Sequence, residues 1–304
     1  MDNICHTLVG AALARTGLKT RTTLGAATMM IGANFPDIDI LTAPFGRALE
    51  MRRGWTHGVL ALVVLPFVLT AIMIGWDRWR RRSKAHDHPA AVPRQILLLS
   101  AISILTHPTL DWMNSYGLRW LMPFDGTWFY GDSLFIVDPW LLLVLGAGVL
   151  MSRRRERSGH PEPWSPARLA IGIATSYIVV MLGLQEVAER IAQRQVGGTG
   201  RARSGLIVTA SPANPFRWRV HADEGQRYWM GAVSLPEGRV GFASEALEKN
   251  AEDPASIRAA ADPRVAPFLD WARLPFYRVT RSGGRTFVRI TDARYGASVQ
   301  VEVQ

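Results

Sequence analysis

The feature that most constrains this chain is a run of 19 positions, residues 58–76, without a charged side chain. As a helix, a run of this length covers most of the hydrocarbon core of a bilayer, which is about 30 Å thick. A basic run at residues 78–84 follows it directly, and a second one, at 153–157, follows another apolar stretch. Basic residues in such positions are typical of cytoplasmic loops. The sequence therefore predicts a bacterial inner-membrane protein.

Several other apolar stretches predict a helical bundle around this span. Residues 95–106, 139–151 and 167–184 are apolar, and we expect the last of them to be the final span. Residues 3–16 and 22–34 are too short to cross a bilayer. They predict either a buried helical hairpin or half-spans that pack against the other helices.

The sequence changes character after about residue 198, where long apolar runs give way to short alternating ones. Residues 205–235 and 275–303 are β-rich, and the segment between them, 243–272, suggests helical or irregular structure. A Gly-Gly-Thr-Gly sequence precedes this region and predicts a linker. The predicted fold is mainly α: a polytopic membrane helical bundle at residues 1–195, the linker at 197–200, and a soluble α+β domain at 200–304.

The formal net charge of +10 fits nucleic acid, anionic lipid or membrane topology, and the placement of the charges decides among them. Basic residues gather beside apolar stretches, whereas a DNA-binding face would spread them along an amphipathic helix. We therefore expect no nucleic-acid partner. The single cysteine, Cys5, excludes an intrachain disulfide and a cysteine-based zinc site. Histidine and carboxylate side chains would have to hold any metal ion.

Membrane topology brings several polar residues together although they are far apart in sequence. The basic turn at residues 19–21 and the loops at 77–94 and 152–166 are expected to share the cytoplasmic side. The opposite helix ends then face the periplasm, and the C-terminal domain, which follows the last span, emerges there too. Six histidine and aspartate residues lie at those opposite ends: His6, Asp37, Asp39, His57, His107 and Asp111.

The spacing of these residues suits a metal site. His107 and Asp111 are four residues apart and share one face of a helix, provided that a new helix begins with Pro108 in its first turn. Asp37 and Asp39 place two hard oxygen ligands at the end of an apolar helix, although a solvated aspartate turn is the alternative. Histidine and aspartate at a membrane edge are costly to bury, which favours a functional role.

Other candidates leave alternatives open. His57 either binds metal or sits at the membrane interface, and His6, alone on an apolar helix, is either a ligand or a hydrogen-bonded core residue. Arg53 either holds an anionic substrate group in bidentate fashion or pairs with Asp39 or an anionic lipid. Asp132 either binds metal, orients a ligand or faces solvent.

Together these residues predict a site for one to three divalent ions, with zinc expected and manganese or magnesium as alternatives. Such ions lower the pKa of bound water to about 7 and polarise a carbonyl or phosphoryl oxygen. The predicted mechanism is attack by a metal-bound hydroxide, with Asp37 or Asp111 bridging two ions and Arg53 offsetting transition-state charge. Arg53, Asp111 and Asp132 are the predicted catalytic residues.

Four short motifs, in this order, resemble a known family. They are His-Thr-Leu-Val-Gly from His6, Pro-Asp-Ile-Asp from Pro36, Arg-Gly-Trp-Thr-His-Gly from Arg53 and His-Pro-Thr-Leu-Asp from His107. Over roughly residues 1–190 they resemble the inner-membrane-associated metal-dependent hydrolases, a family also labelled LexA-binding. The resemblance implies a hydrolase without specifying its substrate. Many members have His-Arg-Gly where this chain has Arg-Arg-Gly.

The order of the candidate ligands is also similar to that in zinc phospholipases C and single-strand-specific zinc nucleases. That similarity implies His6, Asp37, His57, His107 and Asp111 as ligands in a mostly helical fold. The chain departs from those enzymes because it lacks a later His-x-x-x-Asp motif.

We therefore expect a membrane-bound hydrolase that uses metal-activated water on a small-molecule or lipid ester or phosphoester, with membrane lipids as partners. The alternative is a non-enzymatic transporter or a metal-stabilised scaffold for a protein partner that the sequence does not identify. A transporter would place ionisable residues near mid-bilayer, whereas here they gather at helix ends. A nucleic-acid-linked regulator is a third hypothesis, but topology explains the basic runs better.

Overall fold

The structure, a computed structural model, describes residues 1–45, 48–83, 89–197 and 201–303. The last residue of the first predicted basic run, Lys84, and most of the predicted linker, residues 198–200, lie outside the described residues.

The chain divides into two compact units. The first comprises Met1–Leu184 together with Ala210–Pro215, and the second comprises Gln185–Thr209 together with Phe216–Gln304. The candidate site lies wholly within the first unit.

Within the described residues, seven helices build the first unit and lead into the second. Side-chain caps start two of them: Asp2 Oδ1 accepts hydrogen bonds from the amides of Ile4 and Cys5 at 3.0 Å each. Asp138 caps α6 in the same way, with Pro139 at the first helical position. The helices are α1 (Asn3–Arg15), α2 (Gly25–Gly32), α3 (Ala48–Met51), α4 (Val59–Ser83), α5 (Pro93–Trp112), α6 (Pro139–Arg157) and α7 (Ser165–Val196), with 3-10 segments at Leu18–Arg21 and Phe35–Phe45.

Two helices in the described part of the chain are long and apolar enough to cross a membrane: Val59–Arg82, within α4, and α7. Both leave large apolar side chains exposed, such as Phe67 on α4 and Val179 on α7. The apolar stretches at residues 95–106 and 139–151 lie in α5 and α6, which are not among these candidate spans. The chain is roughly half helical with two candidate spans, and the prediction of a polytopic bundle is not supported.

Helix α4 is longer than the sequence indicated. It continues to Ser83, so the prediction of a loop starting at residue 77 is wrong. Asp77 and Arg81, one helical turn apart, form an ion pair at 4.0 Å, and basic side chains at a helix C-terminus offset the helix dipole. Asp77 Oδ2 also accepts a hydrogen bond from the Ala91 amide at 3.1 Å, which ties the end of α4 to the start of α5.

Helices α1, α2 and α5 approach one another closely because small residues line their contacts. A β-carbon on Gly32 of α2 would overlap Ser103 Oγ of α5, and one on Gly10 of α1 would lie 2.5 Å from the Met29 carbonyl oxygen of α2. Leu69 of α4 belongs to one apolar cluster with residues of α5. This packing fixes the C-terminal end of α2 beside the C-terminal end of α5.

Three segments predicted to be cytoplasmic meet at the other end of the first unit. Arg15, at the end of α1, donates to Glu156 near the end of α6 at 2.9 Å. Arg168 of α7 donates to the Thr16 carbonyl oxygen at 3.0 Å, and the Val92 amide donates to Thr22 Oγ1 at 2.8 Å. The basic segments therefore share one end of the unit, as predicted. The side of the membrane on which that end lies stays a prediction.

The C-terminal part of the chain is β-rich, as predicted. The strands are β1 (Gly205–Ala210), β2 (Arg217–Asp223), β3 (Arg227–Ser234), β4 (Arg239–Phe242), β5 (Leu247–Glu248), β6 (Pro275–Ser282), β7 (Arg285–Asp292) and β8 (Ser298–Val303). In one sheet the strand order is β1-β2-β3-β4, with β5 also paired to β3; in the other it is β6-β7-β8. Helices α8 (Pro254–Ala260) and α9 (Ala266–Trp271) separate the two sheets along the chain.

Candidate metal centre

Four side chains from distant parts of the sequence converge at one end of the first unit. Asp37 lies in the 3-10 segment that follows α2, and His57 lies in the turn before α4. His107 and Asp111 lie one turn apart near the end of α5. Each of the four offers one potential ligand atom, and these atoms all lie within 4.8 Å of one another. The structure thus brings together four of the six residues that the sequence predicts as ligands.

Helix α5 is continuous through Pro108, so the predicted start of a new helix there is wrong. A proline in a helix removes one backbone hydrogen bond, and packing against neighbouring helices can keep the helix intact. Helix α5 packs against both α2 and α4, and Pro108 is buried. His107 and Asp111 consequently project from one face of an unbroken helix.

The distances among the four ligand atoms are those of a small coordination polyhedron. The Nε2 atoms of His57 and His107 are 3.1 Å apart. Asp111 Oδ2 lies 3.6 Å and 3.4 Å from these two nitrogens, and Asp37 Oδ1 lies 3.9 Å and 3.6 Å from them. In a tetrahedral zinc site with bonds of about 2.0–2.1 Å, ligand atoms are about 3.3 Å apart. The four residues therefore fit a single divalent ion between them.

Contacts behind the two histidines aim their Nε2 atoms into the cluster. His107 Nδ1 donates a hydrogen bond to the Ala33 carbonyl oxygen at 2.7 Å, since a carbonyl oxygen can only accept. His57 Nδ1 lies 2.9 Å from Thr56 Oγ1 and 3.7 Å from Asp39 Oδ2. Metal-ligating histidines generally have such a partner on the second nitrogen, which orients the ring.

Asp39 supports the cluster from outside. Its Oδ2 accepts a hydrogen bond from the Arg53 amide at 2.8 Å and lies 3.4 Å from Thr56 Oγ1. It faces Nδ1 of His57, whereas Nε2 of the same ring faces the other three ligand atoms. The structure therefore places this predicted ligand behind His57, as a positioning carboxylate, and outside the group of four.

Two buried carboxylate oxygens of the cluster lack hydrogen bonds among the described residues. Asp37 Oδ1 and Asp111 Oδ2 have none, although Arg53 Nη2 forms an ion pair with Asp111 Oδ2 at 3.1 Å. Leaving a buried acceptor without a donor is costly. A cation at the centre of the cluster would satisfy both oxygens at once.

The protonation of the cluster also suits a cation. Burial raises the pKa of Asp111, but the Arg53 guanidinium outweighs it and holds the pKa well below its usual range. Burial lowers the pKa of His107, but the nearby carboxylates of Asp111 and Asp37, 3.4 Å and 3.6 Å from its Nε2, outweigh burial and raise that pKa to about 9. In the metal-free cluster His107 therefore carries a proton at neutral pH, which an incoming ion would displace.

His6 lies directly beside the group of four. Its ring stacks on that of His107 with centroids 3.8 Å apart, and its Nε2 lies 3.2 Å from Asp111 Oδ1. The amino group of Met1 forms an ion pair with the same oxygen. Burial is the main cause that lowers the pKa of His6 to about 3, so its ring is neutral. This predicted ligand thus contacts the other oxygen of a ligand carboxylate.

Arg53 brings a buried positive charge to the cluster. Its Nη1 donates to Asn114 Oδ1 and to the Gly117 carbonyl oxygen at 3.3 Å each, while Nη2 pairs with Asp111. Its guanidinium carbon lies 4.5 Å from the Tyr116 ring centroid, within range of a cation–π contact. The backbone of Arg53 is left-handed, with φ of 51°, which is uncommon for a residue with a side chain.

Asn114 belongs to this site but was not predicted from the sequence. Its Oδ1 accepts hydrogen bonds from Arg53 Nη1 and from the Tyr116 amide, at 2.8 Å for the latter. These bonds fix the orientation of the amide group. Asn114 Nδ2 and Arg53 Nε are then buried donors with no hydrogen-bond acceptor in the part of the chain that the structure describes. The one sequence feature that could have indicated a role for Asn114 is its position three residues after Asp111, the spacing of neighbours on one helix face.

Asp132, a predicted catalytic residue, lies outside the group of four. It is buried and left-handed, with φ of 52°, and its carbonyl oxygen accepts a hydrogen bond from the Ala210 amide at 3.0 Å. The preceding Gly131 amide donates to the Trp112 carbonyl oxygen at 2.7 Å, which places this segment at the end of α5.

Comparisons with known proteins identify relatives of the membrane part of the chain. Residues 1–187 match the family described as YdjM inner membrane protein. The Bacillus subtilis protein YfhP, described as uncharacterized, is 22% identical over 270 residues, which cover 88% of this chain and 76% of the relative. No solved structure matches. None of these matches is a zinc phospholipase C or a zinc nuclease, so the predicted similarity to those enzymes is not supported.

Proposed function

This chain belongs to the YdjM inner membrane protein family, and from that premise we propose that it is a membrane-bound, metal-dependent hydrolase. It uses metal-activated water on an ester or a phosphoester. Asp37, His57, His107 and Asp111 would hold the ion. Two imidazole nitrogens and two carboxylate oxygens suit zinc best, with manganese or magnesium as alternatives.

One observation carries this proposal: four ligand atoms at tetrahedral spacing lie beside a buried arginine. Arg53 Nη2 is 3.1 Å from the ligand oxygen of Asp111. A bound ion supplies Lewis acidity and lowers the pKa of its water to about 7. Arg53 offsets the negative charge that develops on the substrate oxygen, and Asp39 holds the His57 ring in position.

Two further donors favour an anionic substrate group. Arg53 Nε and Asn114 Nδ2 are buried, and neither has a hydrogen-bond partner within residues 1–45, 48–83, 89–197 and 201–303. Oxygens of a phosphoryl group accept such donors readily, and arginine forms particularly strong bonds with phosphate. A phosphoester therefore fits this site better than a neutral ester does.

We place the site and the C-terminal β-rich region on the periplasmic side. The basic segments lie at the opposite end of the first unit, and the positive-inside rule assigns that end to the cytoplasm. A reporter fused after Gln304 should give a periplasmic signal, whereas one inserted at the exposed His160, in the basic loop, should give a cytoplasmic one. The reverse pair of signals would contradict this orientation.

The central test combines metal content with activity. Purified wild type should contain close to one equivalent of metal and hydrolyse a soluble phosphodiester, and chelation should abolish that activity. His107→Ala should lose both metal and activity. His160→Ala, a change to an exposed histidine outside the cluster, is the matched control and should keep both. A metal-free wild type, or equal metal content in both variants, would refute the proposed metal site.

A second candidate function is a metal-stabilised scaffold, which the burial of the cluster favours. The side chains of His57, His107 and Asp111 are fully buried. Structural sites enclose their ion, whereas catalytic sites keep one position open to water. If metal removal lowers the melting temperature but no ester or phosphoester is turned over by metal-loaded protein, the scaffold is the better conclusion.

A further inference from the structure

We propose that the acyl chain of a membrane lipid occupies an apolar groove beside the candidate site. The inference names a substrate class for the proposed hydrolase, a lipid, and to that extent it rests on the proposed function. The occupancy of the groove rests on other observations.

The groove lies among α1, α5, α6 and α7 and has a volume of about 390 Å³. Ligand pockets of proteins commonly enclose about 300–1,000 Å³. Its walls are apolar and come from all four helices, including Leu13, Leu110, Met113, Leu145 and Ile178.

Two of the three threonine hydroxyls in these walls bond to their own helix. Thr106 Oγ1 donates to the Ser103 carbonyl oxygen at 2.7 Å, and Thr109 Oγ1 donates to the Leu105 carbonyl oxygen at 2.8 Å. The third threonine, Thr175, is exposed. The other side chains that line the groove are apolar, so the chemistry of the walls favours hydrocarbon.

Residues that line the groove lie close to site residues along two helices. On α1, His6, Val9 and Leu13 are spaced i, i+3 and i+7, which places the groove residues Val9 and Leu13 on the same face as His6. On α5, the groove residue Leu110 directly precedes the ligand Asp111. A lipid with its tail in the groove would therefore hold its headgroup ester close to the cluster.

The bilayer itself is the source of the occupant. One wall of the groove is α7, which is one of the two candidate membrane spans. Ala174 of α7 lies inside the groove, and Thr175 lies at its exposed rim. A groove walled by a membrane-spanning helix opens toward lipid, where acyl chains are the most abundant apolar ligand.

Photo-crosslinking tests occupancy without requiring activity. The full-length protein in vesicles of phosphatidylglycerol is mixed with a phospholipid that carries a diazirine near the end of one acyl chain. Crosslinks should map to residues 102–113 and 171–178. They should be lost in Ala174→Phe, which fills the groove, and in Thr175→Phe, which blocks its exposed rim. Val179→Phe, a change on the exposed face of α7, should keep them.

Crosslinks that are unaffected by both groove variants, or that form between groove residues and a second protein chain, would overturn the proposal.

Activity then tests the substrate class. Thr175→Phe should lower kcat/KM for a long-chain phospholipid by about tenfold or more, because several methylenes lose their burial. Its kcat/KM for a short, soluble phosphodiester should be unchanged. If no substrate is turned over but the groove crosslinks appear, the hydrolase proposal fails and the lipid site stands.

Discussion

The Nε2 atoms of His57 and His107 face each other at 3.1 Å, and neither ring is free to turn away. His107 is held through Nδ1 by the Ala33 carbonyl oxygen, and His57 is held through Nδ1 by Thr56. Two imidazole nitrogens at this distance need either a shared proton or a cation to bring them together. Their carboxylate neighbours, Asp37 and Asp111, favour a cation.

The different positions of Asp37 and Asp39 predict different effects of the same change. Asp37→Asn removes a ligand oxygen and should abolish stoichiometric metal binding. Asp39→Asn weakens only the contact that positions the His57 ring, through Nδ1. Changes to such supporting residues typically weaken metal affinity by about 10–100-fold. Competition with a zinc indicator measures both affinities. Equal losses in the two variants would contradict the assignment of Asp39 as a positioning residue.

Arg53 should act on turnover and not on metal retention. Arg53→Lys keeps the positive charge but loses the forked donor geometry, and loss of one transition-state donor typically costs about 100–1,000-fold in kcat. Metal content should stay near that of wild type. Asn114→Asp offers a complementary change, because a carboxylate there should repel an anionic substrate and raise KM. A metal-free Arg53→Lys protein would indicate that the arginine is needed to build the cluster.

The close approach of α2 and α5 predicts a steric effect at a site distant from any ligand. Gly32→Ala places a β-carbon against Ser103 Oγ and should destabilise the protein by about 1–3 kcal/mol, as overpacking does. Gly172→Ala is the matched control, because its β-carbon would meet nothing within 4 Å. Thermal unfolding in detergent should show a lower melting temperature for the first variant only. A melting temperature of Gly32→Ala equal to that of wild type would mean that α2 and α5 can separate freely.

His221, in the C-terminal region, predicts a pH dependence of stability. Burial is the main cause that lowers its pKa to about 4, and nearby arginines add to the effect. The unfolded chain binds a proton near pH 6.5, whereas the folded chain does so only near pH 4, so stability falls as pH decreases across this window. The loss should approach about 3 kcal/mol for this histidine.

His221→Leu should reduce the slope of the pH profile of urea unfolding between pH 6.5 and pH 4, leaving the part that other buried histidines such as His6 contribute. Replacement of the exposed His160 by Leu should leave the profile as in wild type. The same slope in wild type and His221→Leu would contradict the assignment.

The sequence predicted the strongest local patterns well. The long uncharged run became the membrane-length part of α4, and the alternating segments became the strands of the C-terminal region. The end of α4 differs from the prediction because a run of arginines suggests a loop, whereas the C-terminus of a helix also accommodates basic side chains. The polytopic bundle was not supported because apolar composition, as at residues 95–106 and 139–151, does not distinguish a membrane span from a helix that packs on its neighbours.

For the candidate site, the sequence predicted the right residue types but could not distinguish the residues that face the ion from those that support them. Asp37 and Asp39 are two positions apart and chemically identical, and only the turn between them decides which one faces His57 Nε2. Asn114 was missed because its role depends on which of its atoms Arg53 and Tyr116 already occupy. Such a role is a property of the folded hydrogen-bond network and leaves no pattern in the sequence.

The four ligand atoms come from three separate segments: the stretch after α2, the turn before α4 and the end of α5. None of these segments carries enough ligand atoms to bind an ion tightly by itself. The ion can therefore bind only after all three segments have packed together. Release on unfolding should then be abrupt, with metal and tertiary structure lost in the same transition. Metal occupancy would accordingly report whether a newly inserted chain has finished assembling.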